Sequence, residues 1–254
     1  MITGTESSEC KRMIPYELET RHIGAGKPLV AIHGIQSTMD CWLPVVEKLH
    51  GWQTVLVNLP GRGNSPRWKA GTGSPSDFYN LDRYADLVHE LITSIGSPVS
   101  LAGWSMGVSV ALNIVKRHGL ANIEQLFLFS GVARMPEEAW PFHSSDVQGL
   151  CREADNRLQN FHAMPVADSI AVAYSWLSMR NMDLRPALGE IDCPVTIIHG
   201  VDDRECPLAQ GKEIADRIKR AVMVPVEGVG HYVLRDIPGT IADVVQSRLP
   251  AAME

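Results

Sequence analysis

The 254-residue chain lacks any run of about twenty apolar residues, the length that crosses a bilayer, so no membrane span is expected. It also lacks a basic excess: 23 lysines and arginines stand against 29 acids, a formal charge of −6. Nucleic-acid binding draws on clustered Lys and Arg, so that class is disfavoured and no nucleic-acid partner is expected. The five cysteines (Cys10, Cys41, Cys151, Cys193, Cys206) contain no CxxC pair, which argues against a zinc ribbon and a disulfide framework. No HExxH pair occurs among the 9 histidines. His199 beside Asp202 and Asp203 is the nearest approach to a ligand cluster, but it sits near a strand end, so no metal is expected. Gly24-Ala25-Gly26-Lys27 has a phosphate-loop composition, yet Pro28 stands where Ser or Thr is needed and the glycines precede a strand. The polar start, Met1 to Lys11, has no apolar signal core and reads as a disordered arm. What remains is an acidic globular chain, expected in a reduced, cytoplasmic setting. It is long enough to bury roughly 70–75% of its unfolded surface without staples.

Short apolar runs alternate with amphipathic segments. Strands are expected at Tyr16–His22, Leu29–Ile32, Thr54–Leu59, Pro98–Ala102, Ile123–Phe129, Cys193–Ile198 and Ala221–Val226. Helices are expected at Leu81–Ile95, Met106–Arg117, from Pro207 to about Arg220, and at Ile237–Leu249. Leu81, Tyr84, Leu87, Val88, Leu91 and Ile92 share one helical face. Strands separated by 10–15-residue helical patterns predict βαβ units and a mostly parallel α/β sheet. Residues 131–190 break the rhythm. They hold the helical patterns Val147–Phe161 and Val166–Met179 and no strand, which predicts a helical cap inserted into a single domain spanning 1–254.

The most informative stretch is Gly103-Trp104-Ser105-Met106-Gly107. It fits G-x-S-x-G and lies between an expected strand and helix, where a tight turn needs small residues two before and two after the serine. That turn presents Ser105 Oγ at a helix N-terminus. A serine hydroxyl needs a base, and the base needs an acid to orient it. In the order Ser, acid, His, the apolar strand before Gly200 ends in Asp202-Asp203, and Gly228-Val229-Gly230-His231 follows the next strand. The candidate catalytic set is Ser105, Asp203 and His231, with Asp202 as the alternative acid and Glu137 or Glu138 more remote.

A tetrahedral intermediate needs two preorganised donors. The Met106 amide follows the nucleophile, and Ile35 in His33-Gly34-Ile35-Gln36 is the second candidate for an oxyanion hole, with His33 bracing that loop. Trp42, Trp104, Trp140, Phe142, Phe161 and Trp176 are candidates for an apolar substrate pocket. The cap carries five arginines (Arg134, Arg152, Arg157, Arg180, Arg185) against eight acids, which disfavours docking of an acidic carrier.

On these motifs the chain resembles the α/β-hydrolase superfamily over nearly its whole length. His33-Gly34, Asn58-Leu59-Pro60-Gly61-Arg62-Gly63-Asn64-Ser65, Gly103–Gly107, Gly200–Asp203 and Gly230-His231 stand in that superfamily's order. Asn58 departs from the Asp that many members carry there. Within the superfamily the chain is similar to the pimeloyl-acyl-carrier-protein methyl ester esterases of biotin synthesis. That likeness rests on Gly103-Trp104-Ser105, Trp42 eight residues after Gly34, Glu138-Ala139-Trp140-Pro141 and Asp183-Leu184-Arg185-Pro186. The resemblance implies an α/β-hydrolase fold and a cofactor-independent serine esterase. Its substrate would be a small ester, in that family carried on acyl-carrier protein. The same residues would serve a thioesterase, an acyltransferase, a carbon–carbon bond hydrolase or, unused, a ligand-binding module.

Overall fold

A computed structural model describes residues 18–158 and 167–249. The expected N-terminal arm and the start of the Tyr16–His22 strand lie outside the described residues. In chain order the elements are β1 (Thr20–Gly24), β2 (Lys27–Ile32), α1 (Leu43–Val46), β3 (Trp52–Val57), α2 (Pro75–Phe78), α3 (Leu81–Ile95), β4 (Val99–Trp104) and α4 (Met106–His118). There follow β5 (Ile123–Phe129), α5 (Val147–Leu158), α6 (Ser169–Arg180), β6 (Val195–Gly200), α7 (Leu208–Arg217), β7 (Ala221–Val226), α8 (Val233–Asp236) and α9 (Pro238–Gln246).

The seven described strands form one sheet in the order β1-β3-β2-β4-β5-β6-β7. Only the β1–β3 pairing is antiparallel; the other five are parallel. β4, β5 and β6 read as nearly unbroken apolar runs because helices cover both faces of the sheet. On one face α3, α4 and α7 supply the core through Tyr84, Val88, Val108 and Ile214. On the other, α1, α8 and α9 supply Val45, Val233 and Ile241. α3 starts where Asn80 Oδ1 accepts from the Arg83 amide at 2.8 Å, and ends at Gly96, whose φ of 75° a side chain would strain.

Between β5 and β6 the described residues hold helical elements and no strand: α5, α6 and short 3-10 turns at Glu137–Ala139 and Arg185–Glu190. The expected Ile237–Leu249 helix differs. Helical structure begins earlier, at Val233, and breaks at Ile237 (φ −134°, ψ 46°). Pro238 explains the break, since a proline disfavours helical backbone in the residue before it and starts a helix well. No described helix is long and apolar enough to cross a membrane.

The chain order within the sheet reverses at β4. Crevices at such reversals, beyond the carboxyl ends of the strands, are where open α/β sheets place their chemistry. Ser105 follows β4, His33 follows β2, Asp203 follows β6 and His231 follows β7.

Candidate active site

Ser105 occupies the turn between β4 and α4 with φ 56° and ψ −121°, a conformation that non-glycine residues rarely hold. The neighbouring glycines show what permits it. A Cβ on Gly103 would run into the Gly107 carbonyl, and one on Gly107 into the Ile32 carbonyl. Packing of α4 against β2 and β4 therefore forces the turn and pushes the serine outward.

Ser105 Oγ donates to His231 Nε2 at 2.9 Å, and His231 Nδ1 donates to Asp203 Oδ2 at 2.9 Å. The Asp203 and His231 side chains are 0% and 5% exposed, so water competes little for these bonds. Asp203 Oδ1 accepts from the amides of Glu205 (2.9 Å) and Cys206 (2.8 Å), which fixes the carboxylate plane. His199 Nε2 donates to the Cys206 carbonyl at 2.7 Å and closes the same turn. Burial holds the His199 imidazole below its ordinary range and keeps the Cys206 thiol protonated. Trp104 Nε1 donates to the His231 carbonyl at 3.0 Å, and its ring lies 5.4 Å from the imidazole. The base is thus held from both its main chain and its ring. Asp202 instead donates its amide to the Val229 carbonyl at 3.0 Å.

His33 lies wholly buried beneath the neighbouring loop. Its Nδ1 donates to the Gly34 carbonyl at 2.8 Å, while its Nε2 accepts from the Leu59 amide at 3.1 Å. One nitrogen must donate and the other accept, so the ring is neutral. Burial, aided by the Arg62 charge, pushes its titration down to about 3. Because a trans peptide sets C=O and N–H antiparallel, holding the Gly34 carbonyl aims the Ile35 amide the opposite way. Arg62, fully buried, donates to the Ile35 carbonyl at 2.7 Å and to Ser175 Oγ on α6 at 3.3 Å. A Cβ on Gly34 would lie 3.2 Å from Ser105 Cβ, so this loop passes close beside the serine. Met106 opens α4, and its amide has no acceptor within the helix.

A model of the Alpha/beta hydrolase family matches residues 29–244. The chain belongs to that family. This α/β hydrolase is 27% identical over 238 residues to the AB hydrolase superfamily protein YisY of Bacillus subtilis (strain 168), a match covering 82% of this chain and 86% of that one. It is 24% identical over 245 residues to the pimeloyl-[acyl-carrier protein] methyl ester esterase of Nitrosomonas europaea, covering 85% and 92%. It also shares the fold of a solved esterase from Exiguobacterium antarcticum, with a TM-score of 0.75 at 23% identity over 91% and 94% of the two chains.

Beside Ser105 and His231 the hydrolase has a cavity of about 590 Å³, within the usual size of small-molecule sites. Its walls differ from the expected aromatic set. Trp104 does line it, with Ile35, Leu43, Pro44, Leu158 and Leu234. Trp42 is buried instead against Phe129, ring centroids 5.5 Å apart. Trp140, Phe142 and Trp176 pack on one another, with Trp176 centroids 5.8 Å from each of the other two. These rings build a core beside α5 and α6, which needs the same bulk that a pocket would. Phe161 lies outside the described residues. Sequence reasoning missed the polar part of the wall: Gln36, Arg157, Glu205 and Tyr232. Their only signal was position, next to Ile35, in the cap, two residues after Asp203 and next to His231.

The remaining expected residues stand apart from the relay. Asn58 Oδ1 accepts from the Met39 amide at 2.8 Å, and Asn58 Nδ2 donates to Glu19 at 2.7 Å, so the departure from Asp serves the loop scaffold. Glu137 and Glu138 sit on the short turn Glu137–Ala139, away from His231's hydrogen bonds. The described cysteines Cys41, Cys151, Cys193 and Cys206 form no disulfide with one another. No cluster of metal-ligating side chains occurs among the described residues.

Proposed function

We propose that this hydrolase cleaves a small carboxylic ester through an acyl-enzyme on Ser105. The observation that carries the reading is the unbroken hydrogen-bond relay Ser105–His231–Asp203, 2.9 Å at each link, opening into the 590 Å³ cavity. His231 Nε2 takes the Ser105 proton as Oγ attacks the ester carbonyl. The Ile35 and Met106 amides receive the oxyanion. Asp203 keeps Nδ1–H aimed and stabilises the imidazolium. The C–O bond then breaks, His231 delivers the proton to the departing alkoxide, and an alcohol leaves. Water attacks the acyl-enzyme, with His231 again taking its proton. Collapse returns the proton to Ser105 and releases the carboxylic acid. No cofactor enters the cycle. The mostly apolar wall suits an apolar acyl or aryl group.

The esterase relative supports an ester substrate, and the substrate in its name makes pimeloyl methyl ester a test compound. The acidic cap weighs against carriage on an acidic carrier protein, so the free ester is the expected form. Incubation with a fluorophosphonate should modify Ser105, and Ser105→Ala should abolish hydrolysis of p-nitrophenyl esters. An unmodified Ser105 in folded protein would refute the nucleophile. Matched short acyl esters and thioesters decide the bond: thioester turnover far above the oxygen ester would replace the esterase reading by a thioesterase.

A further inference from the structure

One charged pair in the cavity has no part in the cycle above. Glu205 Oε2 lies 3.9 Å from His231 Nε2, the nitrogen that handles the proton. The same oxygen accepts from Arg157 Nη2 at 3.0 Å, and Glu205 Oε1 accepts from the Tyr232 hydroxyl at 2.9 Å. Arg157 ends α5. Its Nε donates to Gln36 Oε1 at 2.9 Å, and its guanidinium stands 5.3 Å from the centre of the Phe142 ring. Three neighbours, Tyr232, Gln36 and the Phe142 ring, thus hold the guanidinium and carboxylate in place.

We propose that Glu205 and Arg157 are positioning residues that set how readily His231 holds a proton, acting in opposite senses. Glu205 favours the imidazolium and Arg157 opposes it. The inference rests on His231 being the base.

The groups facing His231 support this division. Asp203 is the carboxylate bonded to Nδ1, common to the relay itself. His199, behind Asp203, is held neutral by burial, and burial likewise keeps the Cys206 thiol protonated. Burial and the neighbouring Glu205 keep the Tyr232 phenol protonated. Trp104 is uncharged. Arg235 stands over the far ring, 4.8 Å from the Tyr232 centroid, and pairs with Asp236 at 2.8 Å. On the Nε2 side Glu205 is the carboxylate at 3.9 Å and Arg157 its partner, while Arg21 and Asp40, which line the same cavity, pair with one another at 2.8 Å. Glu205, at 3.9 Å from Nε2, lies within the ~4–6 Å over which an unopposed charge moves a titration by as much as 1–3 units, and Arg157 is bonded to that same carboxylate oxygen at 3.0 Å. Here the two charges offset one another, so removing either exposes the other. A purely structural salt bridge predicts no such opposition.

The test is the pH dependence of the second-order rate at which a fluorophosphonate modifies Ser105, since that rate follows the neutral imidazole. Glu205→Gln removes the charge and keeps one carbonyl acceptor, enough for Tyr232 or Arg157 but not for both. Its acid limb should move to lower pH by about half a unit or more, and that of Arg157→Gln to higher pH by a similar amount. Arg157→Lys, which retains the charge, should return the limb toward its original place, and so should the double Gln variant. Four signed readings leave the outcome legible if one variant misfolds, as a thermal unfolding check would reveal. Shifts in the same direction, or no shift in either single variant, would overturn the proposal. The esterase reading fails separately: Ser105 would go unmodified in the unaltered protein, or His231→Gln would keep the acid limb.

Discussion

At the residue scale, two adjacent aspartates follow β6, and the sequence favours Asp203, three residues after Gly200, with Asp202 as the alternative. The structure separates them: Asp203 is buried with two backbone amides and His231 on its carboxylate, while the Asp202 amide ties the turn to Val229. Asp203→Asn should lower kcat on the order of 10⁴-fold, because the amide presents the wrong partner to Nδ1–H. Asp202→Asn should change kcat/KM by less than about threefold, the scale of a surface substitution. Steady-state kinetics on a p-nitrophenyl ester checks both, and the reverse order would move the acid to Asp202. Ser105, His231 and Met106 were legible because their chemistry is tied to local chain geometry. The pocket rings were not. Trp42, Phe142 and Trp176 serve the core by the same size and hydrophobicity that would serve a ligand. Glu205 and Arg157 were hidden for another reason: their pairing spans 48 residues of chain.

At the scale of elements, the β4–α4 unit shows how packing creates a nucleophile. The helix approaches the sheet so closely that Gly107 lies against the end of β2. Gly107→Ala should therefore cost about 1–3 kcal/mol, as overpacking of a tight interior does. Urea unfolding measures this, and an unchanged midpoint with unchanged esterase activity would contradict the close approach. Expected and observed bounds agree for α3, β5 and β7, where periodicity and flanking turn residues coincide. They part at the short helices α1 and α2, four residues each, since a single turn carries no periodic signature. They part again at α8, where the helix starts within the loop that carries His231.

At the scale of the whole molecule, buried imidazoles set an acid limit. Burial holds His33 down to about 3, and also holds His199 and His89 below the ordinary 6.5. Between those values the unfolded chain binds protons that the folded chain refuses, so stability falls as pH falls. His33 alone should remove about 2 kcal/mol between pH 7 and pH 5, at roughly 1.4 kcal/mol per unit once below its unfolded value. Urea midpoints across that window check this, and a flat profile would show that His33 titrates normally. The α/β class and the mostly parallel sheet were readable from the alternation of apolar runs and helices. This acid limit was not, because it depends on how deeply His33 is buried after the loops have closed over it.

Gln36 has a consequence for how such a protein can be taken apart and rebuilt. Its Nε2 donates to the Ala154 carbonyl at 3.0 Å, its Oε1 accepts from Arg157, and its own carbonyl accepts from the Ala167 amide at 3.2 Å. One side chain and its peptide thus read both sides of the helical stretch while sitting next to Ile35. The stretch holding α5 and α6 is consequently not an exchangeable module. A graft that brings a relative's helices without their own match to position 36 changes the loop beside the nucleophile together with the substrate wall. Selectivity and turnover in this hydrolase are inherited jointly, and an engineer who recombines the one must carry residue 36 along to keep the other.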